Sequence, residues 1–267
     1  MGELKGPIRK MRTHYKLGFP VSYELPIANE LLPLNNLLEK KILLDFGGEI
    51  SCTYCGRSIK KSFAQGYCFP CFQSLPQTDL CIVKPELCHY DKGTCRDPAW
   101  GREHCFVDHT VYFANSSGLK VGITRSHQQL TRWMDQGAIQ ALPIARVKRR
   151  LEAGKVEVAL KQRISDKTNW RKMLKGDVEP LDLKSFASDL LHYIPENLEV
   201  EKLDEDIVEI EYPVLKPLDK IKSFNLDKNP KVEGILLGIK GQYLLLDTGV
   251  INMRKYAGYV LSIISDF

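Results

Sequence analysis

Eight cysteines lie between Cys52 and Cys105, and the first four form two Cys-x-x-Cys pairs, Cys52-Thr-Tyr-Cys55 and Cys68-Phe-Pro-Cys71, with twelve residues between the pairs. Two residues between thiolates let both sulfurs face one ion from a single tight turn, and Gly56 suits the backbone reversal that follows the second sulfur. Two such knuckles supply four sulfurs for a tetrahedral Zn²⁺. A disulfide or a redox pair is the competing reading, but a redox motif needs one pair only, and a secreted chain would normally carry a leader sequence.

Cys81, Cys88, Cys95 and Cys105 follow with six, six and nine intervening residues, beside His89, His104 and His109. A second four-coordinate zinc on these four cysteines is the expectation, because a stretch rich in turns and poor in apolar runs needs a staple. Buried free thiols acting as small hydrophobes are the alternative. One zinc is therefore expected at the first quartet and a second at the later cysteines.

The elements that must position these groups are read from composition and pattern. Of 267 residues, 43% are apolar and 27% charged, which suits one large folded domain or two to three small ones rather than a disordered chain. Met1 to Lys16 is basic and polar, so no signal peptide is expected, and no apolar run reaches the length of a membrane span. With thiols in metal-ligand spacing, the cytoplasm is the expected compartment.

Charge is unevenly placed. Arg146 to Lys175 carries a local net charge of +8, and Asp177 to Glu211 reverses it to −10. Arg146, Lys148, Arg149, Arg150, Lys155 and Lys161 are the candidate contacts to a nucleic-acid backbone, whereas the acidic block is read as a shield for that face or as a solvated helical appendage.

Five parts are expected. Residues 1–50 form an N-terminal β segment with strands over Val21 to Leu25 and Lys41 to Phe46. Residues 51–108 form a zinc module organised by metal rather than by an apolar core. In residues 109–176, His109 to Ala114 and Leu119 to Thr124 are joined by Asn115-Ser-Ser-Gly118 as a hairpin, followed by a helix over Ser126 to Gln136, a strand over Ala138 to Val147 and a helix over Lys155 to Lys167. Residues 177–211 are acidic and mostly helical. Residues 212–267 alternate short strands and turns, with Gly234 and Gly238 able to kink the sheet, and suggest a small SH3-like or OB-like barrel. Trp100, Trp133 and Trp170 are read as packing residues.

On the helix over Lys155 to Lys167, Val156, Leu160 and Ile164 define an apolar stripe, and Glu157 projects within roughly 20° of Ile164. A carboxylate at the edge of an inward face needs a cation or a metal as partner. A surface pair with Lys161, four residues on, is the simpler reading.

The segment Thr110 to Asn169 resembles the GIY-YIG nuclease superfamily. Thr110-Val-Tyr112 is similar to its first motif and Lys120-Val-Gly122 to its second, Arg132 falls on the helix that follows, Glu157 on the later helix, and Asn169 lies twelve residues beyond. The resemblance covers about sixty residues. It implies a small α/β sandwich in which Tyr112 helps deprotonate an attacking water, Arg132 stabilises phosphate charge, Glu157 holds one Mg²⁺ or Mn²⁺, and Asn169 joins the site. Thr110 stands where that superfamily has Gly, and Lys120 where it has Tyr; Lys120 suits phosphate binding or marks a fold that has lost cleavage.

The whole chain, through Cys-x-x-Cys-Gly-Arg, Gln65 to Cys71, Ala114 to Arg125 and Lys175 to Asp182, is similar to an uncharacterised bacterial protein family, which implies a bacterial cytoplasmic protein and supplies no activity. The expectation is an α+β protein that contains zinc and associates with DNA or RNA, acting as a divalent-metal-dependent endonuclease. Non-catalytic nucleic-acid or ribosome association is the alternative, and a zinc-stapled protein adaptor the third reading.

Overall fold

The computed structural model describes residues 2–164, 167–218 and 220–266. Strands β1 (Gly2–Pro7), β2 (Arg12–Lys16), β3 (Phe19–Ile27), β4 (Glu30–Pro33) and β5 (Lys41–Ser51) occupy the N-terminal part, so both expected strands lie inside observed ones. Alternation is the local cause: in β3, Val21, Tyr23, Leu25 and Ile27 are buried and the residues between them are not. Strand β6 (Ser58–Ile59) and the short helices α1 (Phe69–Ser74), α2 (Leu80–Val83) and α3 (Pro98–Cys105) make up the cysteine-rich stretch.

Strands β7 (His109–Asn115) and β8 (Leu119–Arg125) form the expected hairpin, followed by α4 (Gln129–Asp135), β9 (Gln140–Val147) and α5 (Arg150–Lys161). The second helix was expected over Lys155 to Lys167; it starts and ends earlier, and Ser165 and Asp166 lie outside the described residues. Beyond α6 (Trp170–Lys175) and α7 (Leu183–Leu190) come β10 (Glu201–Lys202), β11 (Val208–Glu209), β12 (Lys231–Lys240), β13 (Tyr243–Leu246), β14 (Gly249–Asn252) and β15 (Tyr259–Ser265). No helix among the described residues is long and apolar enough to cross a membrane.

The chain forms two compact units, one of Met1–Phe72, Leu174–Gly176 and Glu211–Phe267, the other of Gln73–Met173 and Asp177–Ile210. In the first, a seven-stranded sheet runs β1-β15-β5-β12-β13-β14 with β6 beside β5, and β2-β3-β4 form a separate three-stranded sheet.

The C-terminal strands therefore do not close into the barrel expected of them. Both β12 and β15 pair with β5, and the other edge of β15 pairs with β1, so their backbone donors and acceptors are taken by the N-terminal strands. The sheet ends at β1 and β14, and no sheet among the described residues is closed. The mixed α+β class holds in this coarser form, with several open sheets.

The second unit centres on an antiparallel sheet in the order β10-β9-β7-β8, with β11 also on β9. Its size corrects the expected small sandwich: the acidic segment contributes two strands and a helix to it. Glu201 pairs in register with Arg146 on β9, so the sign reversal along the sequence sets opposite charges across one ladder. One face of the sheet carries Val111, Phe113, Val121, Ile123, Leu142 and Ile144, packed with Ala153, Val156 and Leu160 of α5 and Leu183 of α7. By strand alternation the other face carries Thr110, Tyr112, Lys120, Gly122 and Thr124, all buried although four of the five are polar.

Candidate metal centres and the polar face of the central sheet

Cys52 follows the last residue of β5 and Cys55 comes one tight turn later, closed by the Gly56 N–H donating to the Cys52 carbonyl at 3.0 Å, with Gly56 in the left-handed region at φ 73°. Cys68 and Cys71 flank the start of α1, where the Phe72 N–H donates to the Cys68 carbonyl at 2.9 Å. All four sulfurs lie within 4.8 Å of one another, and Cys55 Sγ is 3.8 Å from Cys68 Sγ. A tetrahedron with Zn–S bonds of about 2.3 Å has an edge of about 3.8 Å, so the separation suits one shared ion.

The electrostatics fit a thiolate site. Burial resists ionisation of Cys52, but N–H groups of Cys55, Cys68 and Tyr54 aimed at its sulfur outweigh that and bring its pKa down to about 6; the Cys68 N–H lies 3.2 Å from the Cys52 sulfur. Cys55 is also lowered, chiefly through the Arg57 backbone. Cys71 is pushed up to about 12 by burial and by the neighbouring sulfurs, the conflict expected when four thiolates meet without a cation.

The later cysteines are arranged differently. Asp79, Cys81 and His89 bring one ligand atom each within 4.8 Å of the others, a second group able to hold a metal ion. Cys88, Cys95 and Cys105 line the same small cavity together with Trp100 and Arg96. Cys81 is raised to about 12 by burial, with Asp79 and Cys88 adding to the effect, and burial also raises Cys105. Neither of the other two histidines joins this group. His104 stacks on Trp100 with ring centroids 4.2 Å apart, and the buried His109 donates from Nδ1 to the Val107 carbonyl at 2.7 Å.

On the polar face of the central sheet, the Tyr112 hydroxyl donates to Gln136 Oε1 at 3.2 Å and also interacts with the Arg132 side chain. Burial raises the Tyr112 pKa; Arg132 acts against that shift and Glu157 adds to it. Glu157 also acts on Arg132, so Tyr112, Arg132 and Glu157 are brought within electrostatic reach of one another. Glu157 pairs with Lys161 at 3.4 Å as the simpler reading expected, and its carboxylate is largely covered. The Arg132 Nε is buried with no hydrogen-bond partner among the described residues.

Lys120 shares this face but donates to Thr168 Oγ1 at 3.1 Å. Asn169 accepts the Lys172 N–H at 3.2 Å through its side chain, which is the role of a helix cap. Five of the six candidate phosphate contacts have intramolecular partners: Arg146 with Glu201 and Glu205, Lys148 with Asp108, Arg149 with both oxygens of Asp91, Arg150 with the Ile82 carbonyl, and Lys161 with Glu157. Lys155 is exposed.

Residues 39–261, spanning the cysteine knuckles, the central sheet and most of the C-terminal strands, match a family described as protein of unknown function DUF2797. The chain belongs to that family. No curated protein and no solved structure matches it. The family match reaches across both units and both cysteine groups, and none of the comparisons links the chain to the GIY-YIG superfamily, whose resemblance here rests on individual residues.

Asp79 and Gln136 escaped the sequence reading. Asp79 caps α2 by accepting the Cys81 N–H at 3.2 Å, and a signal was present in its spacing to Cys81 and in the adjacent Cys88-His89 pair. Nothing in the pattern around Gln136 distinguishes it from an ordinary helix end.

Proposed function

We propose that this is a zinc-stabilised, nucleic-acid-associated protein in which Tyr112, Arg132 and Glu157 form a phosphodiester-handling site that works with Mg²⁺ or Mn²⁺. The observation that carries the reading is the electrostatic proximity of these three side chains, drawn from β7, α4 and α5, around an arginine whose buried Nε keeps an unused donor among the described residues. A guanidinium with a donor to spare suits a phosphate oxygen. Glu157 is the carboxylate that would hold the divalent ion, which lowers the pKa of a bound water and neutralises phosphoryl charge. Tyr112, protonated at neutral pH in its covered position, holds its proton toward Gln136 and orients Arg132.

A second reading, binding without cleavage, is favoured by a specific observation. The Tyr112 hydroxyl is wholly covered and its pKa is raised, the reverse of what a proton acceptor needs, and Lys120 is engaged by Thr168. Incubation with single- and double-stranded DNA and RNA in Mg²⁺ or Mn²⁺ separates the two. Cleavage by the wild type that is lost in Glu157→Gln supports the first. Salt-dependent binding without cleavage moves the assignment to the second, and absence of both leaves the zinc-stapled adaptor.

A further inference from the structure

The group at Asp79, Cys81 and His89 carries more information than proximity, because the contacts around His89 place Nε2 toward the other two ligand atoms and Nδ1 toward Thr94. Thr94 Oγ1 lies 2.8 Å from His89 Nδ1 and 3.3 Å from the His89 carbonyl oxygen. A hydroxyl has one proton, and a carbonyl can only accept. With the Thr94 proton directed at Nδ1, Nε2 of the neutral ring carries the ring proton; with it directed at the carbonyl, Oγ1 accepts from Nδ1–H and Nε2 keeps its lone pair.

Nε2 faces Asp79 Oδ1 at 3.4 Å. With the ring proton on Nε2 the ring donates to the carboxylate; with it on Nδ1 two acceptors meet and need a positive charge between them. Arg96 does not supply it, since its Nε is bound to the other carboxylate oxygen, Oδ2, at 2.7 Å. Three species fit the pair: a neutral ring donating from Nε2, an imidazolium ion pair, or a metal ion.

Geometry and the third member decide between them. Bonds of about 2.0–2.1 Å from a tetrahedral Zn²⁺ to nitrogen and oxygen give an N···O edge of about 3.3–3.4 Å, the separation found here. Cys81 Sγ completes a triangle with both atoms inside 4.8 Å. A hydrogen bond from the ring, neutral or charged, gives no reason for a thiol to be the third member, whereas a Zn²⁺ site does. Thr94, 2.8 Å from Nδ1, is also placed to accept from Nδ1–H and so support a metal-binding Nε2.

We infer that the chain holds a second Zn²⁺-class ion on Asp79 Oδ1, Cys81 Sγ and His89 Nε2, with the fourth ligand a thiol from the cavity wall that Cys88, Cys95 and Cys105 line. This is a mixed oxygen, nitrogen and sulfur site rather than the four-cysteine site that spacing suggested. The ion takes the Nε2 and Oδ1 lone pairs as ligands and compensates the Cys81 thiolate.

The test uses the full-length protein, with metal content measured and Co²⁺ used as a spectroscopic probe. The wild type is expected to hold two equivalents, and His89→Gln and Asp79→Asn one each, while Cys52→Ser loses the other. In the wild type the second Co²⁺ equivalent should show about half the thiolate-to-cobalt charge-transfer intensity of the first, because two sulfurs replace four; this reading does not depend on any variant folding. A single equivalent in the wild type that His89→Gln leaves unchanged would leave the pair as a hydrogen bond and overturn the site. A second equivalent with the intensity of four thiolates, retained in His89→Gln, would overturn it in favour of the four cysteines.

Discussion

The phenol ring of Tyr112 lies across Gly122 in the paired strand β8, so close that a methyl group on Gly122 would come within 2.6 Å of the Tyr112 hydroxyl oxygen. The tripeptide Lys120-Val-Gly122 thus has a physical reason for its glycine: the opposite strand's aromatic ring occupies the space of a side chain. Tyr112 is held from the other side by Trp133, edge-on at 5.8 Å. Gly122→Ala is expected to displace this ring and to destabilise the second unit by about 1–3 kcal/mol, the usual cost of overpacking. Adding Tyr112→Phe removes the hydroxyl nearest the new methyl, so the double variant should lose less than the sum of the single ones in chemical denaturation. Strict additivity would mean that the two positions do not meet.

Zinc removal makes a separate expectation. The knuckles around Cys52 to Cys71 have few buried apolar side chains apart from the cysteines themselves, so metal binding must supply much of their folding free energy. Chelation should release one equivalent from this quartet and raise amide hydrogen exchange across residues 51–72, with β3 and β12 much less affected. Protection unchanged after complete metal loss would show that the turns hold themselves.

Acid stability should depend on His109. Burial lowers its pKa to about 4, helped by the positive charges of Arg150 and Arg125, while the contact to the Val107 carbonyl acts against the shift. An unfolded histidine titrates near 6.5, so between the two values the unfolded chain takes up a proton that the folded chain does not. Stability is therefore complete above about pH 6.5 and falls as pH drops toward 4, by up to about 3 kcal/mol from this residue. Denaturation midpoints of the wild type and His109→Gln, compared over that window, should converge as pH falls; parallel curves would remove His109 as the cause. The comparison between variants matters because acid also protonates zinc thiolates in both.

What the sequence made legible was local. Cys52, Cys55, Cys68 and Cys71 could be grouped because two tight turns each fix a pair of sulfurs, and the β7–β8 hairpin could be placed because Asn115 to Gly118 is turn chemistry between alternating runs. The start of α5 was read five residues late for an identifiable reason: Arg149 offers no side-chain cap, and Gly154 inside the helix looks like a breaker. In the fold it is a site of close approach, where a Cβ would come within 2.7 Å of Pro85 Cβ. The barrel error has a different origin. Pairing Gly2 with Ser265 and Ile42 with Gly234 spans most of the chain, and no local pattern of alternation specifies which distant edge a strand will meet.

The basic residues of β9 and α5 give the last expectation, since they separate phosphate binding from internal bracing. Arg149 forms two 2.8 Å contacts to Asp91 and lies 4.2 Å over the Phe106 ring, so it ties α5 to the cysteine-rich segment. Arg149→Ala should cost about 1–2 kcal/mol of stability, from an ion pair in which one nitrogen meets both Asp91 oxygens and from a cation–π contact. Lys155 is exposed on the same helix. If nucleic acid runs along α5, Lys155→Ala should weaken binding about equally for all sequences and reduce the slope of log affinity against log salt by about one unit, with stability changed by less than about 0.5 kcal/mol. Titrations at several salt concentrations, paired with denaturation curves, read both quantities. An unchanged slope in Lys155→Ala, with Arg149→Ala losing stability as expected, would mean that the positive run serves to hold the second unit together and that any nucleic acid docks elsewhere.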